Sequence, residues 1–238
     1  MHKWLTEFIG TFFLVLTVCL SVLTNQPLAG VAIGASLMIM VYMGGHVSGG
    51  HYNPAVSLAV MLRGKLAPAD FVPYVISQVL GAVAAAWVAS VILRNNSPNT
   101  FALAPGKNVE AWQAVLVEAL YTFALCLVVL NVATSKRTES NSFYGLAIGF
   151  TVAVGAIAAG GLSGGAFNPA VGTGPTALHA FLTGDNNAWS NLWIYWVGPL
   201  IGGALAAAVF RLQEEGMTSS RETPRPVGEP VPAGSVRH

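Results

Sequence analysis

Along this chain, predominantly apolar stretches of about 20 residues recur six times, and that is the length an α-helix needs to cross a bilayer. They cover residues 4–24, 28–45, 71–93, 112–133, 143–161 and 189–210. The composition agrees, because only 9% of the residues are charged, whereas soluble domains carry about 25%. The pattern therefore predicts an all-α membrane protein with six transmembrane helices.

Several other classes of protein are disfavoured by the same composition. Lys3 precedes the first apolar stretch as in a signal peptide, but the length of the stretch and the lack of an A-x-A site favour a transmembrane helix. The net charge of +1 lacks the clustered Lys and Arg that nucleic acid requires, so no nucleic-acid partner is expected. Cys19 and Cys126 lie inside apolar stretches and are expected to be buried hydrophobic residues. No metal and no cofactor is expected.

The basic residues predict the orientation of the chain, since they concentrate on the cytoplasmic side of membrane proteins. One side of a six-span arrangement carries Lys3, Arg63, Lys65, Lys136, Arg137, Arg211, Arg221, Arg225 and Arg237. The other side carries Arg94 and Lys107. We therefore expect both termini to be cytoplasmic, in the plasma or cytoplasmic membrane of the cell.

The chain also contains an internal repeat. "TEFIGTFFLVLTVCL" at 6–20 resembles "VEALYTFALCLVVL" at 117–130, and "GGHYNPAV" at 49–56 resembles "GGAFNPAV" at 164–171. Each half holds three spans, an odd number, so the second half must enter the membrane from the opposite side, as in channels and transporters. The prediction is a channel domain over 1–212, with repeats at 1–94 and 108–212. The polar, proline-rich remainder, 213–238, is predicted to be a disordered cytoplasmic tail.

After each Asn-Pro-Ala stretch comes a helix-compatible run that is too short to span a bilayer, at 54–62 and 169–181. Asn favours the N-cap and Pro the first helical position, so each run is predicted to be a re-entrant half-helix. Irregular backbone at membrane depth is tolerated only beside protein or a water-filled cavity. Two half-helix N-termini would then meet at the centre of a pore, where their partial positive charges disfavour cations.

The paired motifs "HVSGGHYNPAV" and "GGLSGGAFNPAV", together with "SQVLGAVAAA" and "YWVGPLIGGALAA", resemble the aquaporin and glycerol-channel (major intrinsic protein) superfamily. The resemblance implies six transmembrane helices, two re-entrant half-helices in an inverted 3+3 repeat, and a homotetramer with one pore per subunit. The pore motifs of the family correspond to Asn53, Pro54, Ala55, Asn168, Pro169 and Ala170.

Glu7 and Glu118 are the carboxylates that lie well inside predicted spans, and a charge within the membrane is a candidate for function. Proton coupling or catalysis is one interpretation. The resemblance favours another, in which each glutamate accepts hydrogen bonds from the re-entrant backbone. His46 and His51 flank the first glycine turn, and we expect them to line the pore or to bond loop carbonyls rather than to bind a metal.

One departure from the family concerns selectivity. The second motif usually ends in Arg, which narrows the outer constriction, but this chain has Val171. By spacing, the other filter positions correspond to Ile33, Ala156 and Gly165. This set is small and apolar, so size exclusion is expected to be loose unless the loop at 95–110 folds over the outer mouth.

These features predict a passive channel for water and small uncharged solutes such as glycerol, urea, ammonia, peroxide and metalloid hydroxides. One alternative is a strict water channel that another part of the structure narrows. Two others are a coupled secondary transporter, since inverted repeats also build those, and a structural protein with a closed pore. An enzyme is not predicted, because no cluster of nucleophile, base and orienting group is visible.

Overall fold

The computed structural model describes residues 1–94 and 99–219. Within this part of the chain there are eight α-helices and no strand. The helices are α1 (His2–Leu23), α2 (Ala29–Ser48), α3 (Pro54–Leu62), α4 (Pro68–Ile92), α5 (Ala111–Val129), α6 (Tyr144–Ser163), α7 (Pro169–Thr183) and α8 (Ile194–Ser219). A π-helical turn at Leu130–Thr134 extends α5.

Six helical segments are long and apolar enough to cross a membrane, which confirms the prediction of six spans. They contain α1, α2, α4, α5, α6 and α8. Many of their large apolar side chains are exposed on the outside of the bundle, among them Trp87, Phe150 and Ile157. A soluble protein would bury such residues, so this surface fits a lipid environment.

The two remaining helices, α3 and α7, are the predicted half-helices. They contain 9 and 15 residues, so at about 1.5 Å per residue they are too short for a hydrocarbon core of about 30 Å. Both begin at the proline of an Asn-Pro-Ala stretch, with Asn53 and Asn168 as N-caps. The side-chain oxygens of these asparagines accept hydrogen bonds from Ala55 N at 2.8 Å and Ala170 N at 2.9 Å.

The segments that lead into the half-helices repeat the same unusual backbone. Positive φ angles occur at Gly49, Gly50 and Tyr52 (94°, 63° and 50°) and at Gly164, Gly165 and Phe167 (92°, 65° and 49°). Such angles are uncommon for bulky residues, so surrounding contacts must hold the tyrosine and the phenylalanine in place.

Helix packing follows the repeat. α1 packs against α4 in the first half and α5 packs against α8 in the second, while α2 and α6 pack against each other between the halves. Gly34 and Gly149 lie at the α2–α6 crossing, where a Cβ on Gly34 would come 2.5 Å from the Gly149 carbonyl oxygen. Small residues are required there because the two backbones touch.

The predicted boundary of the polar tail is wrong for residues 213–219. Helix α8 continues to Ser219, and it is held by a contact with the end of α3, where Arg63 Nη2 lies 2.8 Å from Glu214 Oε2. The guanidinium also lies over the ring of Phe210, 4.9 Å from its centroid. The rest of the predicted tail, 220–238, lies outside the described residues.

Candidate functional site

The first re-entrant segment, 49–53, is bonded to Glu7 of α1, whose carboxylate is fully buried. Its Oε1 accepts hydrogen bonds from Ser48 Oγ at 2.7 Å and His51 N at 3.0 Å. Its Oε2 accepts from Tyr52 N at 2.7 Å and Gln78 Nε2 at 2.7 Å. The carboxylate therefore supplies acceptors for two backbone N–H groups that no helix can satisfy.

Glu118 of α5 does the same for the second re-entrant segment. It is fully buried and accepts hydrogen bonds from Ser163 Oγ at 2.7 Å, Ala166 N at 3.0 Å and Phe167 N at 2.6 Å. Neither this glutamate nor Glu7 lines a described cavity. Their geometry supports the interpretation that both carboxylates position backbone rather than contact a solute.

Sequence reasoning missed a second pair of anchors. Tyr74 Oη of α4 donates to Ser48 O at 2.7 Å, and Tyr195 Oη of α8 donates to Ser163 O at 2.6 Å. These bonds satisfy a carbonyl at the C-terminal end of α2 and of α6, respectively. The sequence contains a pattern that could have revealed this pair. A glycine of the same helix follows each tyrosine after seven residues, Gly81 in α4 and Gly202 in α8.

Asn53 and Asn168 join the two repeats at the point where the half-helices meet. Asn53 Nδ2 donates to Phe167 O at 2.8 Å, and Asn168 Nδ2 donates to Tyr52 O at 2.9 Å. A primary amide carries two N–H groups, so this reciprocal bond leaves one N–H on each asparagine for another acceptor. Both residues line the cavity described next, and a solute oxygen there would find these donors.

A cavity of about 340 Å³, the outer cavity, lies on the side of the asparagines away from the N-terminus. Its walls include all four predicted filter residues, Ile33, Ala156, Gly165 and Val171. They come from α2, α6, the second re-entrant segment and α7. No side chain of the four carries a hydrogen-bonding group.

The loop between the repeats also reaches the outer cavity. Residues 95–98 of this loop lie outside the described part, but Phe101, Ala102, Leu103 and Ala104 line the cavity wall. These four residues of the loop therefore contact the outer cavity, the region over which the sequence suggested that the loop could fold.

A larger cavity of about 810 Å³, the inner cavity, lies on the side of Lys3. His46 and His51 both line it, and His51 lines the outer cavity as well. The residue His51 is 6% exposed, and its Nδ1 lies 3.1 Å from Ser57 Oγ. Charged residues at this mouth are Lys3, Lys65, Asp70, Lys136 and Glu139.

The two halves of the pathway differ in polarity. His51 and Ser57 stand at motif positions that Ala166 and Gly172 occupy in the second repeat. The first repeat therefore contributes a polar pair where the second contributes none. Among the described residues, charged side chains line the inner cavity and none lines the outer cavity, so the inner half is the more polar one.

Comparison with known proteins identifies the family. A sequence profile described as "Major intrinsic protein" matches residues 1–210. The chain is 38% identical over 217 residues to "Glycerol uptake facilitator protein-like 6" of Lactiplantibacillus plantarum, which covers 89% of this chain and 98% of that protein. It is 35% identical over 216 residues to aquaporin-8 of Rattus norvegicus, covering 87% and 79% of the two chains.

Aquaporin-4 of Notomys alexis is 38% identical over 187 residues, which cover 78% of this chain but only 55% of that protein. Among solved structures, an aquaglyceroporin from Plasmodium falciparum has the same fold, with a TM-score of 0.80 at 20% identity over 92% of this chain and 98% of that chain. The chain belongs to the major intrinsic protein family of membrane channels.

Proposed function

We propose that this protein is a passive channel that conducts water and small uncharged solutes across the cell membrane, including solutes larger than water. The observation that carries the proposal is a pair of cavities that share His51 in their walls. The outer one is also lined by Asn53 and Asn168, where the two half-helices begin. Candidate solutes are glycerol, urea, ammonia, hydrogen peroxide and metalloid hydroxides. The names of similar proteins include a glycerol uptake facilitator and aquaporins, which supports water and glycerol.

The centre of the pathway favours neutral solutes. Asn53 and Asn168 mark the N-termini of α3 and α7, and each helix N-terminus carries about half an elementary positive charge. A cation that leaves its hydration shell there would meet positive dipole ends and amide donors. A hydroxyl or carbonyl oxygen of a solute would instead accept hydrogen bonds from the remaining asparagine N–H groups.

The outer cavity supports a broad solute range. Ile33, Ala156, Gly165 and Val171 contribute small or apolar side chains, so neither a positive charge nor a bulky polar side chain narrows the passage at these positions. A second candidate, a strict water channel, is favoured by one observation: the 101–104 segment also lines this cavity. A coupled transporter has less support, because the two buried glutamates are bonded to the backbone and line neither cavity.

We further propose a homotetramer in the plasma or cytoplasmic membrane, with both termini in the cytoplasm. The family resemblance supports the tetramer, and the basic side chains at the inner mouth support the orientation. Chemical crosslinking in membranes would test the assembly. Protease access in oriented vesicles would test the topology.

Light scattering from proteoliposomes under osmotic shock tests the channel, with the native chain compared with Val171→Arg and Val171→Leu. The arginine adds volume, donors and charge, while the leucine adds volume alone. We expect native flux of glycerol and urea above that of empty liposomes, and a fall of about tenfold or more in the arginine variant with water flux retained. If the glycerol and urea flux of the leucine variant equals that of the native protein, the effect of the arginine is due to its charge and hydrogen-bond donors. Native flux equal to that of empty liposomes for every solute would refute the proposal.

A further inference from the structure

We propose that the segment Phe101–Ala104, hereafter the mouth segment, selects solutes in the outer cavity. In this inference, which rests on the proposed channel function, the ring of Phe101 limits solute width. The main-chain N–H and C=O groups supply the hydrogen bonds that the four filter side chains lack. The solutes it favours are small uncharged molecules with hydroxyl or amide groups.

The main chain of the mouth segment comes close to the outer cavity. Four consecutive residues, Phe101 to Ala104, line that cavity, and they have no regular secondary structure. One carbonyl lies close to the filter, since a Cβ on Gly164 would come 3.5 Å from Ala104 O.

The polar groups of this main chain are available. Among the described residues, the Leu103 N–H has a hydrogen-bond partner, Thr176 Oγ1 at 3.2 Å, and the other main-chain groups of the mouth segment have none. Unpaired main-chain groups that face protein are rare. These groups are therefore open to hydrogen bonds with water or with a solute that enters the outer cavity.

The mouth segment is anchored on both sides, so it forms a fixed wall. Besides the bond to Thr176, Thr100 Oγ1 lies 3.0 Å from His179 Nδ1 of α7. After the segment, Gly106 N donates to Leu162 O of α6 at 2.8 Å. A Cβ on Gly106 would collide with the Gly161 carbonyl oxygen, which requires glycine at that anchor.

Phe101 separates the outer cavity from a second, much smaller space. That space lies against α1, α4 and α7, where Cys19, Ala86 and Leu178 border it. Phe101 lines both spaces and is partly buried. Truncation of its side chain would join the small space to the outer cavity and widen the passage, whereas a larger ring would narrow it.

The experiment uses the full-length chain in proteoliposomes with water, glycerol, erythritol and xylitol as probes. The variants are Phe101→Ala, Phe101→Trp and Thr176→Val, which removes an anchor while no filter side chain changes. Phe181→Ala is the matched control, because Phe181 lies on α7 with 83% of its surface exposed. Circular dichroism and size-exclusion chromatography of each variant check that the chain is folded.

We expect Phe101→Ala to raise the ratio of xylitol to water permeability by about tenfold or more, because it removes a whole ring and even a single methylene changes discrimination by about tenfold in a close-fitting site. Thr176→Val should change the ratio in the same direction, Phe101→Trp in the opposite direction, and the control should leave it unchanged. If the alanine variant fails to fold, the Trp and Val variants still test the inference through their opposite signs.

The inference would be overturned if the xylitol-to-water permeability ratio of Phe101→Ala stayed within about twofold of the native ratio. The same result in both Phe101→Trp and Thr176→Val would also overturn it. If the native protein still conducts water, the channel function stands in either case. Native flux equal to that of empty liposomes would overturn the channel function itself and the inference with it. The two failures are therefore distinguishable in one set of measurements.

Discussion

Replacing Glu118 with alanine would remove the acceptor that holds the second re-entrant segment. Three donors lose their partner, namely Ser163 Oγ, Ala166 N and Phe167 N, at distances of 2.6–3.0 Å. The site is fully buried, so the three donors would lose their acceptor away from bulk water. We therefore expect the second half-helix to lose its position rather than the pathway to lose a solute contact.

The size of the effect follows from the number of orphaned donors. Each buried donor without a partner costs about 1–3 kcal/mol, so three donors give about 3–9 kcal/mol, or about 2–6 kcal/mol if the Ser163 hydroxyl rotates to a new acceptor. Domains are stable by about 5–15 kcal/mol. Glu7→Ala should lower the free energy of unfolding by about 1–3 kcal/mol more than Glu118→Ala, because Glu7 also accepts a hydrogen bond from the Gln78 amide.

The assay is the yield of monodisperse protein in detergent and its thermal unfolding temperature, measured by size-exclusion chromatography after heating. Glu118→Gln keeps one acceptor oxygen and should fall between native and alanine. Glu139→Ala, at an exposed loop position, is the control and should resemble the native protein. Native yield and unfolding temperature for Glu118→Ala, together with altered solute or proton flux, would refute the structural role and favour proton coupling.

Three further predictions concern packing, the pore centre and the extension of α8. Gly149→Ala should lower the unfolding temperature sharply, because its Cβ would collide with the backbone of α2. Gly161→Ala should leave the unfolding temperature unchanged, because a Cβ there meets open space. Thermal unfolding of the two variants tests this difference. Asn168→Asp should place a negative charge at the pore centre and remove two N–H donors. A pH-sensitive dye inside proteoliposomes should then report faster proton or cation entry, and an unchanged signal would contradict the electrostatic argument. Glu214→Gln should lower the free energy of unfolding by no more than about 1 kcal/mol, because the ion pair with Arg63 is only partly buried. High salt should reduce the difference in unfolding temperature between variant and native protein. A difference that does not change with salt would contradict an ion-pair origin.

Much of this fold could be predicted from local sequence. The length of each apolar stretch predicts a span wherever it occurs, and the Asn-Pro pairs at 53–54 and 168–169 predict helix starts because cap and first-turn preferences act within a few residues. The repeat then predicts the inverted arrangement from the odd number of spans in each half. The four positions predicted for the filter line one cavity, and their role in selectivity stays a prediction.

The anchors could not be predicted in the same way, because each depends on residues that are distant in the chain. Gln78 meets Glu7 across 71 positions, and Asn53 meets Phe167 across 114. Composition alone predicted that 213–219 would be disordered. The tertiary fold instead brings Glu214 to Arg63, 151 positions away, and the helix continues.

For this protein, the sequence by itself determined the number of spans, the two half-helices and the donors at the pore centre, since periodicity, length and capping are local properties. Only the tertiary structure decided what surrounds the filter. Val171 predicts a wide passage when considered alone, but the anchors on α6 and α7 place residues 101–104 against the same cavity. A loop that lacks regular structure has no periodic pattern, so its position depends on long-range contacts, and these exist only once the helices have packed.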